Sequence, residues 1–168
     1  IIRQIEVTFD GLVSVPTGPV TDDSFIVEST DSGTLGTKVG LEVVSSQVVG
    51  GKQVVVLNFT GTTLIEDSSE GVPPTLPMLE DGNYRLTIDG AKLGIDANGL
   101  APGVDAIDDF HRLFGDVDAD KDVDLFDFAR YRSYHTTGTQ DEIFDFNDNN
   151  AADLFDFAQF RARFLTNV

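Results

Sequence analysis

The sequence predicts two domains: an all-β antiparallel sandwich over residues 1–102, then a small α domain over residues 103–168 built on two acidic loop–helix units. Three observations predict it. Short runs of alternating apolar and polar residues fill the first part, composition changes near residue 103 from Val, Thr, Gly and Ser to Phe, Asp and Arg, and a string beginning at Asp116 recurs at Asp145, 29 residues on.

The alternating runs come in order. Ile5, Val7 and Phe9 alternate with polar residues, as do Phe25 and Val27, then Val39, Leu41 and Val43, and later Tyr84, Leu86 and Ile88. Period two means half-buried strands. From Gln53 to Phe59 the residues Val54, Val55, Val56 and Leu57 are apolar on both faces, which predicts a central strand covered twice. Turn signals separate the runs at Thr17-Gly18-Pro19, Asp31-Ser32-Gly33, Gly50-Gly51, Asp81-Gly82 and Ala97-Asn98-Gly99. Ser68 to Pro77, with Pro73 and Pro74, reads as a loop or sheet crossover. The stretch Leu79-Glu80-Asp81-Gly82-Asn83-Tyr84-Arg85-Leu86-Thr87-Ile88, followed by Gly94-Ile95-Asp96-Ala97-Asn98-Gly99, resembles the end of a bacterial Ig-like domain of surface proteins. That resemblance implies an Ig-like sandwich over roughly residues 1 to 100, and the turn at Asp96 and Asn98 reads as self-bonded rather than ion-holding.

Composition narrows the function classes. With 29 acidic against 11 basic side chains and a net charge of -18, the chain repels nucleic acid and anionic membranes and attracts divalent cations. It has no cysteine, which excludes disulfides, thiolate zinc sites and thiol nucleophiles. No run approaches the roughly 18 apolar residues of a bilayer span, so membrane insertion is not expected. A chain opening on Ile1-Ile2-Arg3-Gln4 reads as a fragment or a processed product.

The repeat carries the chemistry. Asp116-Val117-Asp118-Ala119-Asp120-Lys121-Asp122-Val123-Asp124-Leu125-Phe126-Asp127 matches Asp145-Phe146-Asn147-Asp148-Asn149-Asn150-Ala151-Ala152-Asp153-Leu154-Phe155-Asp156. Oxygen side chains fall at the first, third, fifth, ninth and twelfth places of both. A calcium ion takes six to eight oxygens, and a loop of about twelve residues can aim alternate side chains at it. Asp116, Asp118, Asp120 and Asp127 would ligate a first ion, with the carbonyl of Asp122 and a water held by Asp124. Asp145, Asn147, Asn149 and Asp156 would ligate a second, with the carbonyl of Ala151 and a water held by Asp153. Mg²⁺ is the alternative metal; zinc would want His or Cys, and His111 and His135 fit no ligand spacing and read as surface or packing residues.

The sixth place, ordinarily glycine in a left-handed turn, is Lys121 in the first copy and Asn150 in the second. Lysine costs about 1 kcal/mol or somewhat more there and adds positive charge beside the ion. Against that, the first loop offers four ligating carboxylates and the second two, which favours the first. Four uncompensated carboxylates within a few ångströms would repel one another strongly, so a compact loop calls for a cation.

After each loop, aromatic residues recur at helical spacing: Phe128, Tyr131 and His135, then Phe157, Phe160 and Phe164. The two exiting helices should bury these stripes against each other about a local two-fold axis. Arg130, Arg132, Arg161 and Arg163 belong to the opposite, solvated face. A calmodulin-type hand has a long entering helix and Glu at the twelfth place; Gly138 to Phe144 has no helical period, and Asp127 and Asp156 stand at the twelfth place.

Loop plus exiting helix, duplicated, with Gly115-Asp116-Val117-Asp118 opening the first copy and Phe110-His111-Arg112-Leu113-Phe114-Gly115 leading in, resembles the type I dockerin family over roughly residues 110 to 166. The resemblance implies two calcium ions, an extracellular or cell-surface setting, and docking to a cohesin-like domain, in many members within polysaccharide-degrading assemblies. It also implies a partner face at the tenth and eleventh places and the adjacent turn: Leu125, Phe126 and Arg132, or Leu154, Phe155 and Arg161. Packing of one Leu-Phe pair within the chain stands beside docking as an alternative, with the protein then a structural end unit of a large surface protein or adhesin. Catalysis, as part of a glycoside hydrolase, ranks last, because every clustered carboxylate is assigned to a cation and no Ser-His-Asp set or phosphate loop is present.

Overall fold

Alternation becomes one main sheet rather than a sandwich of two. The computed structural model describes residues 2–66, 77–93, 105–137, 142–147 and 149–168. Its strands are β1 (Gln4–Phe9), β2 (Gly18–Pro19), β3 (Phe25–Ser29), β4 (Lys38–Val49), β5 (Lys52–Thr60), β6 (Ile65–Glu66), β7 (Met78–Leu79), β8 (Gly82–Ile88) and β9 (Ala106–Arg112). Two short helices follow, α1 (Leu125–Thr137) and α2 (Leu154–Arg163), with a 3-10 turn at Glu142–Phe144 between them. The main sheet is antiparallel and seven-stranded, in the order β1-β5-β4-β3-β8-β9, with β2 on β4; β6 and β7 form a separate pair.

The expected architecture, an Ig-like sandwich followed by a separate α domain, is therefore corrected: the chain is one small, mostly β domain whose main sheet curls on itself. β4 keeps the main sheet continuous. It pairs with β3 at Lys38 and Val39 and with β5 from Gly40 to Val49, crossing a bulge between Val43 and Ser45, so it runs unbroken through the curl. At the crossing, a Cβ on Gly40 would sit 2.6 Å from the Thr60 carbonyl oxygen, which leaves room only for glycine. The concave face buries Phe25, Val27, Leu41, Val43, Val55, Leu57, Phe59, Tyr84 and Leu86. β5 lies between β1 and β4, but its outward Val54 and Val56 are half-buried rather than covered.

The helices belong to the same body for three reasons. β9, in the segment assigned to the α domain, pairs with β8 over its whole length, from Ile88 opposite Ala106 to Gly82 opposite Arg112, and Phe110 stacks on Tyr84 at 5.6 Å. In β7, neighbouring residues point to opposite sides, so Leu79 joins the sheet core while Met78 joins the cluster beneath the helices, with Leu113, Phe114, Val123, Tyr131, Phe144, Phe146 and Phe160. Between the two clusters, Arg112 and Arg163 both pair with Glu66 and Asp81. Arg163, expected on the solvated helix face, instead has a side chain only 13% exposed, and its guanidinium also lies 5.1 Å from the centre of the Phe146 ring.

The aromatic stripes do meet. Tyr131 stacks on Phe160 at 4.9 Å and lies 5.5 Å from Phe157, and Phe128 lies 5.9 Å from Phe164. The expected 102/103 boundary, the proline segment 68–76, the turn at Asp96 and Asn98, Asp148 and the side chain of His135 lie outside the described residues.

Candidate metal centre

Each acidic loop is hung from a different element. The first follows β9 through Leu113, Phe114 and Gly115, where Gly115 has φ +100° and a Cβ would meet Phe160 Cδ2 at 2.8 Å. The second leaves the 3-10 turn at Phe144. Despite these different entrances, the loops share one hydrogen-bonded frame.

The first-place carboxylate closes the turn. Asp116 accepts from the amides of Asp120 at 3.3 Å and Lys121 at 3.0 Å, and Asp145 accepts from those of Asn149 at 3.1 Å and Asn150 at 2.7 Å. The fifth place accepts from the seventh: Asp120 from Asp122 at 3.2 Å, Asn149 from Ala151 at 2.8 Å. Lys121 and Asn150 at the sixth place have φ of +78° and +64°, the left-handed turn that glycine usually makes there. The second loop also touches the sheet side of the molecule, where Arg3 donates to the Phe146 carbonyl at 3.3 Å.

The ninth and twelfth places start the helices. Asp153 is the N-cap of α2, accepting from the amide of Phe155 at 2.7 Å, while Asp156 accepts from the amides of Asp153 at 2.7 Å and Phe146 at 2.8 Å. In the first copy Asp124 accepts from Phe126 at 2.6 Å, and Asp127 from Asp124 at 2.7 Å and Val117 at 2.8 Å. The second set is a capping box and the first shares its Asp-to-N-cap amide bond, and Asp127 and Asp156 are both buried.

Oxygens of Asp116, Asp118 and Asp120 come within 4.8 Å of one another, and so do those of Asp122, Asp124 and Asp127. The first loop thus gathers six carboxylates in two triads, and the Asp122 side chain, expected to contribute its backbone carbonyl alone, stands among them. Desolvation, then Asp120, Asp127 and Asp116, hold the Asp118 carboxyl above its usual range. Asp122 is raised by desolvation and by Asp120, Asp124, Asp127 and Asp116. Burial also raises Asp156, against the two amides that hydrogen-bond to it. Among the described residues, Oδ1 of Asp122 and Oδ1 of Asn147 are buried acceptors with no hydrogen-bond partner, a cost that a hard cation removes. The donor set is all oxygen and mostly anionic, which fits calcium in kind.

Two contacts to the first loop, from His111 and Asn83, escaped the sequence reading. His111 Nε2 lies 2.9 Å from Asp116 Oδ2, and Lys121 Nζ donates to Asn83 Oδ1 at 2.7 Å. Neither has a local signal, because each contact depends on how β8 and β9 lie beside the loop.

The predicted partner residues lie mostly on the outer side of the helices. Leu125, Phe126 and Leu154 are exposed, Phe126 at 53%, and Arg132 and Arg161 are exposed as well. Phe155 is half-covered, its ring 6.0 Å from that of Phe146, so the two Leu-Phe pairs are not equivalent. Between the helices, Leu125, Phe128, Phe157, Phe160, Arg161 and Phe164 line a cleft of about 200 Å³. No protein-family model, curated protein or solved structure matches the chain.

Proposed function

We propose that this chain is a calcium-binding, non-catalytic module of a larger extracellular protein, in which two ions order the acidic loops and the helix pair serves as a docking face. The observation that carries the calcium reading is the shared loop frame. Two segments with different entrances share the same hydrogen bonds at their first, fifth, ninth and twelfth places, and in the first the turn brings Asp116, Asp118 and Asp120 within 4.8 Å of one another. Asp118 and Asp120 are exposed, so neither is gathered there by burial of its own side chain. A bound cation converts mutual repulsion into attraction and stabilises the folded state through preferential binding. Carboxylates held on calcium do not serve as proton donors, which argues against hydrolase chemistry at this site.

Docking is supported by the exposed Leu125, Phe126 and Leu154 beside the apolar cleft. A purely structural reading has its own support in the pairing of Arg163 with Glu66 and Asp81 and the partial cover on Phe155, which tie the inner side of α2 to the sheet. Calorimetric titration of the chelator-treated chain with calcium is the primary test. Two equivalents bound, with melting temperature rising as the logarithm of free calcium and little response to magnesium, is the expected result; no heat and no thermal shift would refute the calcium reading.

A further inference from the structure

We infer that Asn83 and Lys121 are positioning residues that let the β8–β9 hairpin preset the first loop for its ion while leaving the second unaffected, an inference that rests on the calcium reading above. Lysine is a poor choice for the sixth place by backbone criteria, since φ of +78° is strained for any residue with a Cβ. A long cationic stem offers what glycine cannot, which is reach. Its ammonium donates to Asn83 Oδ1 at 2.7 Å, from 38 residues away in sequence.

Asn83 is itself a fixed anchor. Its main-chain amide donates to Asp31 Oδ2 at 3.0 Å and its side-chain Nδ2 to Asp31 Oδ1 at 2.9 Å, which orients Oδ1 toward the loop. It also stands opposite His111 in the β8–β9 register, and His111 is the residue 2.9 Å from Asp116. One cross-strand pair therefore grips the first loop at its first and sixth places together. Lys121 links the two grips, since its own amide donates to Asp116. A loop whose turn is already held loses less conformational freedom on taking up an ion.

Charge alone makes the opposite forecast for Lys121, because removing a cation beside a cation site should tighten binding. The test is calcium titration by calorimetry on the full chain, comparing wild type with Asn83→Ala, Lys121→Met, Lys121→Arg and the Asn83→Ala/Lys121→Met double variant. We expect both single removals to weaken one of the two ions about fivefold and spare the other, the size of one hydrogen bond. Lys121→Arg should recover part of the loss, and the double variant should be no weaker than either single. Tighter binding in Lys121→Met, an unchanged Asn83→Ala, equal weakening of both ions or additive losses would each overturn the inference. Lys121 is exposed in the loop, so its variants keep the test decisive if Asn83→Ala does not fold. A wild-type chain that takes up no calcium overturns the functional reading as well, whereas an inert Asn83 overturns this inference alone.

Discussion

Arg163 on α2 and Asp81 at the turn before β8 are joined by a direct ion pair across 82 residues of sequence. Arg112 shares the same carboxylate and Glu66 besides, so two guanidinium groups and two carboxylates close a small charge-balanced seam between helices and sheet. Replacing Arg163 with Leu leaves two acids on one base and should cost about 3 kcal/mol. Urea unfolding followed by far-ultraviolet and tyrosine signals should lose that stability in one shared transition. A helix transition separating from an unchanged sheet transition would speak against the seam.

Asp118 separates loop stability from ion binding. Desolvated and then crowded by Asp120, Asp127 and Asp116, its charge opposes folding when no ion is present. Asp118→Asn should make the calcium-free chain slightly more stable while weakening one calcium site about tenfold or more. Thermal melts with and without chelator read both effects, and they should move in opposite directions.

The same crowding sets a pH dependence. Asp118 and Asp122 have carboxyls raised above the usual 3.8, chiefly by desolvation and then by neighbouring aspartates. A carboxyl raised on folding stabilises the folded state fully below its unfolded value and loses that contribution as pH rises through the folded value. Asp10, Asp23 and Asp109 are lowered by hydrogen bonds from Lys52, Lys38 and Arg85, and their contribution fades only below 3.8. In chelator, the chain should therefore be more stable at about pH 4.5 than at pH 7. With excess calcium the order should reverse, because acid then competes with the ion.

Phe126 tests docking. With Phe126 53% exposed, Phe126→Ala should change stability by less than about 0.5 kcal/mol. Combined with Phe155→Ala, it should abolish calcium-dependent capture of a protein partner while calcium affinity stays unchanged. Phe155→Ala alone should cost more stability than Phe126→Ala, because its ring packs on Phe146.

The long strands were legible because burial imposes a period of two, and the loop segments because their oxygen side chains recur at the same places in both copies. β1, β3, β4, β5 and β8 carry the alternation, and the loops carry oxygens at alternate places. β9 was hidden because Asp108 and Asp109 sit side by side and both faces of an edge strand meet water there, so no alternation marks it. β6 and β7 are two residues each, too short to show any period. Arg161 and Arg163 are two residues apart and so lie on opposite sides of α2, and placing both on one solvated face overlooked that period; Arg163, one turn beyond the buried Phe160, faces Glu66 and Asp81, whose position depends on the tertiary fold. Missing those contacts made one domain read as two.

An outermost strand offers backbone donors and acceptors to any passing chain, and β9 is such a strand, with Ile107 63% exposed on it. Its flank bears Asp105, Asp108 and Asp109, of which Asp109 is matched by Arg85. Two molecules approaching edge to edge would bring these acids together, so self-association along β9 meets an electrostatic barrier that high salt should lower. Neutralising Asp105 and Asp108 to Asn would remove that barrier, and fibrillar or oligomeric species should then form at protein concentrations where the parent chain stays monodisperse.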